Sequence, residues 1–247
     1  MPKLMNCSDT TVLQTVSNFG FTAQRPDDKN LGASEYTIVN MLVDVSGSVQ
    51  PFKAQLEKAY KEIIEACKKN PRSENLLVRG ATFNTNINEL HGFVTLDNID
   101  PSKISFHPSG GTALYDAALE GIETVVTYGT QLGSLDYQVN GLIILATDGE
   151  ENSSSIGTLS KIKTALESAR KSEKLESIKM ILIGIGDDIT VKTYLDGFTN
   201  TVGLDQYVHI DNTDAKGLAK LADFVSRSIS SSSQSLGTGG PSRNLVV

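Results

Sequence analysis

"EYTIVNMLVDVSGSVQ", Glu35 to Gln50, decides how the rest of the chain is read. Its first part is a nearly continuous apolar run with β-branched residues, the pattern of a strand covered on both faces. The run ends on a carboxylate, Asp44, and Ser46 and Ser48 stand beyond it on either side of Gly47. In extended backbone every second side chain points the same way, so one carboxylate and two hydroxyls can meet at a single point. Gly47 lets the backbone turn tightly into the next helix. All three groups are hard oxygen donors, and no His or Cys stands beside them. That chemistry disfavours zinc and copper and favours Mg²⁺, Ca²⁺ or Mn²⁺. A plain strand-to-helix turn, with Asp or Ser capping the helix, uses the same residue types.

Outward from this stretch the chain alternates strands with helices. Residues 51–69 carry Phe52, Leu56, Ala59, Ile63 and Ala66 at helical spacing, with Pro51 where a first turn tolerates it. "LLVRGATFN" (76–84) reads as a strand, and "INELHGFVTL" (87–96) as a shorter antiparallel strand at an edge. "PSGGTALYDAALEGIETVVTYG" (108–129) is a glycine-rich turn entering a helix. "NGLIILATDG" (140–149) is the clearest buried strand, and it too ends on a carboxylate, Asp148. A charged amphipathic helix over 157–174, a buried strand "IKMILIGIG", a helix near 190–198, a short strand "QYVHI" and a helix over 215–229 complete the pattern. The expectation is an α/β fold: a doubly wound, mostly parallel sheet with one short antiparallel edge strand and helices on both faces. Ligands of such sheets sit beyond the carboxyl ends of the strands, where Asp44 and Asp148 are both expected.

Residues 1–36 read as an N-terminal extension holding at most one short element, 37–230 as the domain, and 231–247 as a Ser/Gly-rich tail. The tail closes on Asn244-Leu245-Val246-Val247, an apolar end expected either to dock along a neighbouring chain or to hang free. The 247 residues suffice for a core without disulfides, and the two cysteines, Cys7 and Cys67, form no metal pattern and read as reduced thiols. A net charge of −7 argues against a nucleic-acid surface. No apolar run is long enough for a membrane helix, and "MPKLMNCSDT" lacks a secretory signal's apolar core, so a cytoplasmic protein is expected. The glycosylation patterns at Asn6 and Asn152 are accordingly read as chance.

Two further pieces, Gly110-Gly111-Thr112 before a helix and Asp148-Gly149 after a strand, are ordinary turns when taken singly. Together with "DVSGS" they make the sequence resemble the von Willebrand factor A (vWA) family, the integrin I-domain fold, over roughly residues 36–230. That family's metal-ion-dependent adhesion site (MIDAS) has Asp-x-Ser-x-Ser after its first strand, a Thr in a later loop and an Asp after its fourth strand. The matching residues are Asp44, Ser46, Ser48, Thr112 and Asp148. The resemblance implies Mg²⁺ (or Mn²⁺ or Ca²⁺) with the serines and Thr112 as direct ligands and the aspartates binding directly or through water. It also implies a partner protein whose Asp or Glu completes the coordination. Such a metal, held largely by neutral hydroxyls, stays electron-poor and gains most from an incoming anionic oxygen.

Enzyme signatures are missing. There is no P-loop and no G-x-S-x-G, and Ile189 stands where a dinucleotide fingerprint after Gly184 and Gly186 needs its third glycine. His91, His107 and His209 read as surface or core residues, and Asp187-Asp188 as a solvated turn. The reading is a non-enzymatic, metal-dependent protein-binding module, a scaffold or regulatory subunit of a homo- or hetero-oligomeric assembly, as in bacterial stress systems or phages. The alternatives are a structural subunit of a virion or other assembly, and a Mg²⁺-dependent phosphohydrolase.

Overall fold

A computed structural model describes residues 11–16, 19–25, 31, 33–172, 174–211, 213–238 and 245. Five consecutive strands of the sheet run parallel: β3 (Glu35–Asp44), β4 (Leu76–Phe83), β6 (Gln138–Thr147), β7 (Ser177–Ile185) and, at the edge, β8 (Gln206–Ile210). β5 (Ile87–Thr95) lies antiparallel to β4. Beyond β5 sits a hairpin, β1 (Thr11–Val16) and β2 (Phe19–Gln24), giving the order β1-β2-β5-β4-β3-β6-β7-β8.

Alternation along the central strands feeds two cores. Val39, Met41 and Val43 of β3 face α1 (Lys53–Lys68) and α5 (Ala215–Thr238). Ile38 and Leu42 face α2 (Leu114–Gly133), which shares its layer with α3 (Leu159–Lys171) and α4 (Ile189–Val202). Both faces are covered, which is why the strands read as apolar without a period of two. α1 buries Tyr60, Ile64 and Cys67 beside Leu56, Ala59 and Ile63, while Ala66 is exposed, so the buried face is rotated from the expected one. Pro51 lies in a 3₁₀ turn, Gly47–Phe52, that leads into α1.

The expected edge strand is therefore internal. The hairpin from residues set aside as an extension seats against β5, where Phe21 meets Phe93 edge-on at 6.0 Å and Phe93 stacks on Tyr128 at 5.2 Å. Tyr128 Oη donates to the Gln24 carbonyl at 3.0 Å. At Gly92 the approach is so close that a β-carbon would stand 2.1 Å from Thr22 Oγ1, so β2 requires glycine there.

The helix α5 also continues into the stretch read as a flexible tail. Composition misled because the serines bond within the helix: Ser226, Ser228 and Ser230 leading into the stretch, and Ser235 inside it, donate to carbonyls about one turn back at 2.7–2.9 Å. Ser232 and Ser233 are buried, Asn140 Nδ2 reaches the Ser232 carbonyl and Ser235 Oγ, and Arg72 Nε reaches Ser233 Oγ, all at 3.1–3.2 Å. Leu245 packs against its own chain's core, and its carbonyl accepts from Gln206 Nε2 at 2.5 Å. Cys7, Asn244, Val246 and Val247 lie outside the described residues.

His91 gives this fold a pH signature. Its Nε2 meets Tyr60 Oη at 2.9 Å, and burial pushes its pKa down to about 4. An unfolded His titrates near ~6.5, so between ~6.5 and about 4 only the unfolded chain takes the proton and stability falls with pH. His91→Gln is expected to flatten that limb of the melting curve in metal-free buffer. A wild type and variant that lose stability in parallel below pH 6.5 would show that His91 is not responsible.

Candidate metal centre

Asp44 closes β3 with 1% of its surface exposed. The β3–β6 register sets Val43 opposite Ala146, so the next residues, Asp44 and Thr147, come side by side. Thr147 Oγ1 donates to Asp44 Oδ2 at 2.5 Å, and the Ser46 N–H donates to Oδ1 at 2.7 Å. The chain then turns through the 3₁₀ segment, which brings Ser46 Oγ within 3.0 Å of Ser48 Oγ. Ser48 Oγ donates to Asp148 Oδ1 at 2.9 Å, across the gap between the loops at the ends of β3 and β6.

Thr112 arrives on a third loop. Gly110 has φ +72°, a left-handed turn that favours glycine. Its carbonyl accepts from the Gly47 N–H at 3.1 Å, and the Ser109 N–H donates to the Val45 carbonyl at 2.9 Å, so this loop lies along the first. Thr112 is buried with its Oγ1 beside Gly149, where a β-carbon would stand 3.2 Å away. The residues singled out in the sequence thus come together: Asp44, Ser46, Ser48 and Asp148 in one hydrogen-bonded chain, and Thr112 against the residue after Asp148.

The electrostatics are those of an anionic hole. Burial raises the Asp44 carboxyl to about 6, its bonds from Thr147 and Ser46 oppose the rise, and Asp148 adds to it. Asp148 is raised too, chiefly by burial. Among the described residues no ion pair involves either carboxylate. A divalent cation suits this donor set. Adjacent ligands of an octahedron with ~2.1 Å bonds lie about 3.0 Å apart, which matches the 2.9 and 3.0 Å separations along Ser46, Ser48 and Asp148. No group of three or more His, Cys, Asp or Glu that could hold a metal occurs among the described residues, so any site here draws on hydroxyls.

Sequence reading missed three residues around this centre. Thr147 becomes visible only through strand register. Asn152 and Glu151 become visible only through tertiary contacts, since Asn152 Oδ1 accepts from the Thr112 N–H at 2.8 Å and Glu151 Oε2 from the Tyr115 N–H at 2.8 Å. Asp188 caps α4, accepting from the Thr190 and Val191 N–H groups. His91 and His209 sit in structural contacts with Tyr60 and with Tyr207.

Among the described residues, eight mostly parallel strands between two helical layers form a vWA-like α/β fold. Solved structures share it. The D319A mutant of the PilB minor pilin from Streptococcus sanguinis is similar at 17% identity and a TM-score of 0.56, over 85% of this chain and 64% of that one. The pilus adhesin SpaC from Lactobacillus rhamnosus GG is similar at 12% identity and a TM-score of 0.57, over 86% and 32% of the two chains. Proximal thread matrix protein 1 from the mussel byssus, in a form described as having a zinc-occupied MIDAS motif, is similar at 17% identity and a TM-score of 0.52, over 79% and 46%. The chain thus spans less than two thirds of each of these proteins. No protein-family profile matches the sequence, and no curated protein matches it. No described helix is long and apolar enough to cross a membrane. The cytoplasmic expectation gains nothing from neighbours named for pili and byssal threads.

Proposed function

We propose that this chain is a metal-dependent protein-binding module without catalytic activity. Asp44, Ser46, Ser48, Thr112 and Asp148 hold one divalent cation, with Mg²⁺ the first choice and Mn²⁺ or Ca²⁺ accepted. The observation that carries the reading is the run of oxygens from Ser46 through Ser48 to Asp148, spaced at 2.9–3.0 Å across two loops at the carboxyl edge of the sheet. The neighbour described with a zinc-occupied MIDAS motif supports a divalent cation in general. When bound, the cation supplies a Lewis-acidic position for an anionic oxygen. The chain's own part is to gather neutral hydroxyls with two carboxylates, so that the cation's charge is held without being cancelled. The partner's Asp or Glu is the group such a position selects.

Pilin, adhesin and matrix-protein neighbours favour a role inside a larger assembly. On this reading the structural-subunit alternative and the binding module describe one activity, a carboxylate-dependent joint between proteins. A test starts with crosslinking and mass spectrometry from the native source, with Mg²⁺ and with chelator. The captured partner is then titrated against wild type and Thr112→Ala. Binding is expected to vanish in chelator and to weaken about tenfold or more in the variant. A partner that binds equally well in chelator would move the interface off this site.

A further inference from the structure

We propose that Asn152, itself held by Glu151, is the positioning residue that fixes Thr112 for metal binding; the proposal rests on the metal reading above. Thr112 comes directly after two glycines, so its own loop holds it loosely. Both backbone polar groups of Thr112 close onto Asn152: the Thr112 N–H donates to Asn152 Oδ1 at 2.8 Å, and the Asn152 N–H donates to the Thr112 carbonyl at 3.0 Å. This two-bond ring joins the loop after β6 to the loop before α2. It therefore fixes Thr112 relative to Asp148, four residues upstream of Asn152 in the sequence.

Glu151 keeps Asn152 in place. Its Oε1 accepts from the Ser153 and Ser154 N–H groups at 2.8 and 2.6 Å, folding the loop around the carboxylate. Its Oε2 accepts from the Tyr115 N–H at 2.8 Å and the Ser154 hydroxyl at 2.6 Å. α2 has no side-chain cap of its own at Ala113. Its free N–H groups at Tyr115 and Asp116 are satisfied instead by Glu151 and by Ser154 Oγ, the latter at 3.0 Å. A carboxylate at a helix N-terminus is also favoured by the helix dipole. Asp116 returns the contact, accepting from the Ser155 and Ile156 N–H groups at 2.9 Å and the Gly157 N–H at 2.5 Å. Loop and helix start are thereby one body that carries both Thr112 and Asp148. Asn152 itself is exposed, so its side chain holds Thr112 without contributing to the core.

Calorimetric titration of Mg²⁺ into the full chain tests this, with Asn152→Ala beside wild type. The affinity is expected to fall about tenfold, the usual effect of removing a group that orients a metal ligand. The metal-free melting temperature is expected to stay at the wild-type value, and exchange of the Thr112 amide proton, read by NMR without metal, to speed up. Asn152→Asp keeps the acceptor and is expected to restore slow exchange, and also affinity once salt screens its added charge. A purely structural role would lower the metal-free melting temperature and leave the affinity alone, which would overturn the proposal. Wild-type affinity in Asn152→Ala would overturn it too while leaving the metal reading intact. No Mg²⁺ or Mn²⁺ uptake by wild type would sink the metal reading and this proposal with it.

Discussion

On the proposed metal reading, Asp44→Ala is expected to remove a rise in melting temperature that Mg²⁺ gives the wild-type chain. Magnesium at about 100 times its dissociation constant stabilises a folded site by ~2.7 kcal/mol. For a domain of this size that corresponds to roughly 5–10 °C. Asp44 contributes one of two carboxylates and is the more deeply buried, so without it the hydroxyls have too little negative charge to strip a cation of water. In metal-free buffer near neutral pH the variant loses two hydrogen bonds, from Thr147 and Ser46, but also sheds a carboxylate that burial disfavours. Those contributions oppose, so the metal-free melting temperature moves much less than the metal-dependent rise. Differential scanning calorimetry at matched Mg²⁺ settles it: an equal rise in wild type and variant would place the cation elsewhere.

Arg79→Ala destabilises the chain by about 3–5 kcal/mol, on the order of 10 °C in melting temperature. Arg79 is fully buried in β4. Its guanidinium meets Glu120 of α2 at 2.7 Å, Glu89 of β5 at 2.8 Å and Asn40 Oδ1 of β3 at 3.1 Å. Burial already raises the Glu120 carboxyl, and Arg79 is the chief force holding it down. Without Arg79, Glu120 has no cation in a site closed to water. Glu89 also accepts from the Thr22 N–H at 3.1 Å, so the loss extends to the seating of the β1–β2 hairpin. A second variant, Arg79→Met with Glu120→Met, removes the two fully buried charges together, leaves Glu89 on Thr22 with 19% of its side chain exposed, and is expected to recover much of the stability. Urea titrations that put Arg79→Ala within about 1 kcal/mol of wild type would show that the cluster contributes little.

The central sheet was legible because four strands covered on both faces, β3, β4, β6 and β7, leave largely apolar runs, and the residues of the candidate site stood out because oxygen-bearing side chains sit at the ends of two of those runs. The hairpin was not. Its strands, with half-buried patterns and only two aromatic residues, acquire meaning from Phe93, Tyr128 and Gly92 far along the chain. The last turns of α5 were misread because Ser-rich composition says nothing of hydroxyls that bond their own helix, as Ser230 and Ser235 do. Thr147, Glu151 and Asn152 act through register and loop-to-helix bonds, which no local spacing encodes.

On the proposed metal reading, the pairing of β3 with β6 would make the candidate metal centre a proofreader of folding. Asp44 meets Thr147, and Ser48 meets Asp148, only because Val43 lies opposite Ala146. Slipping that pairing by one residue would turn every side chain of a strand to the opposite face and scatter the oxygens. A cation that needs them together binds only chains whose central strands have paired in the native alignment. Metal uptake during refolding would then withdraw correctly aligned molecules from the competing population, and the ion would act as an inspector of the sheet before serving as the proposed joint.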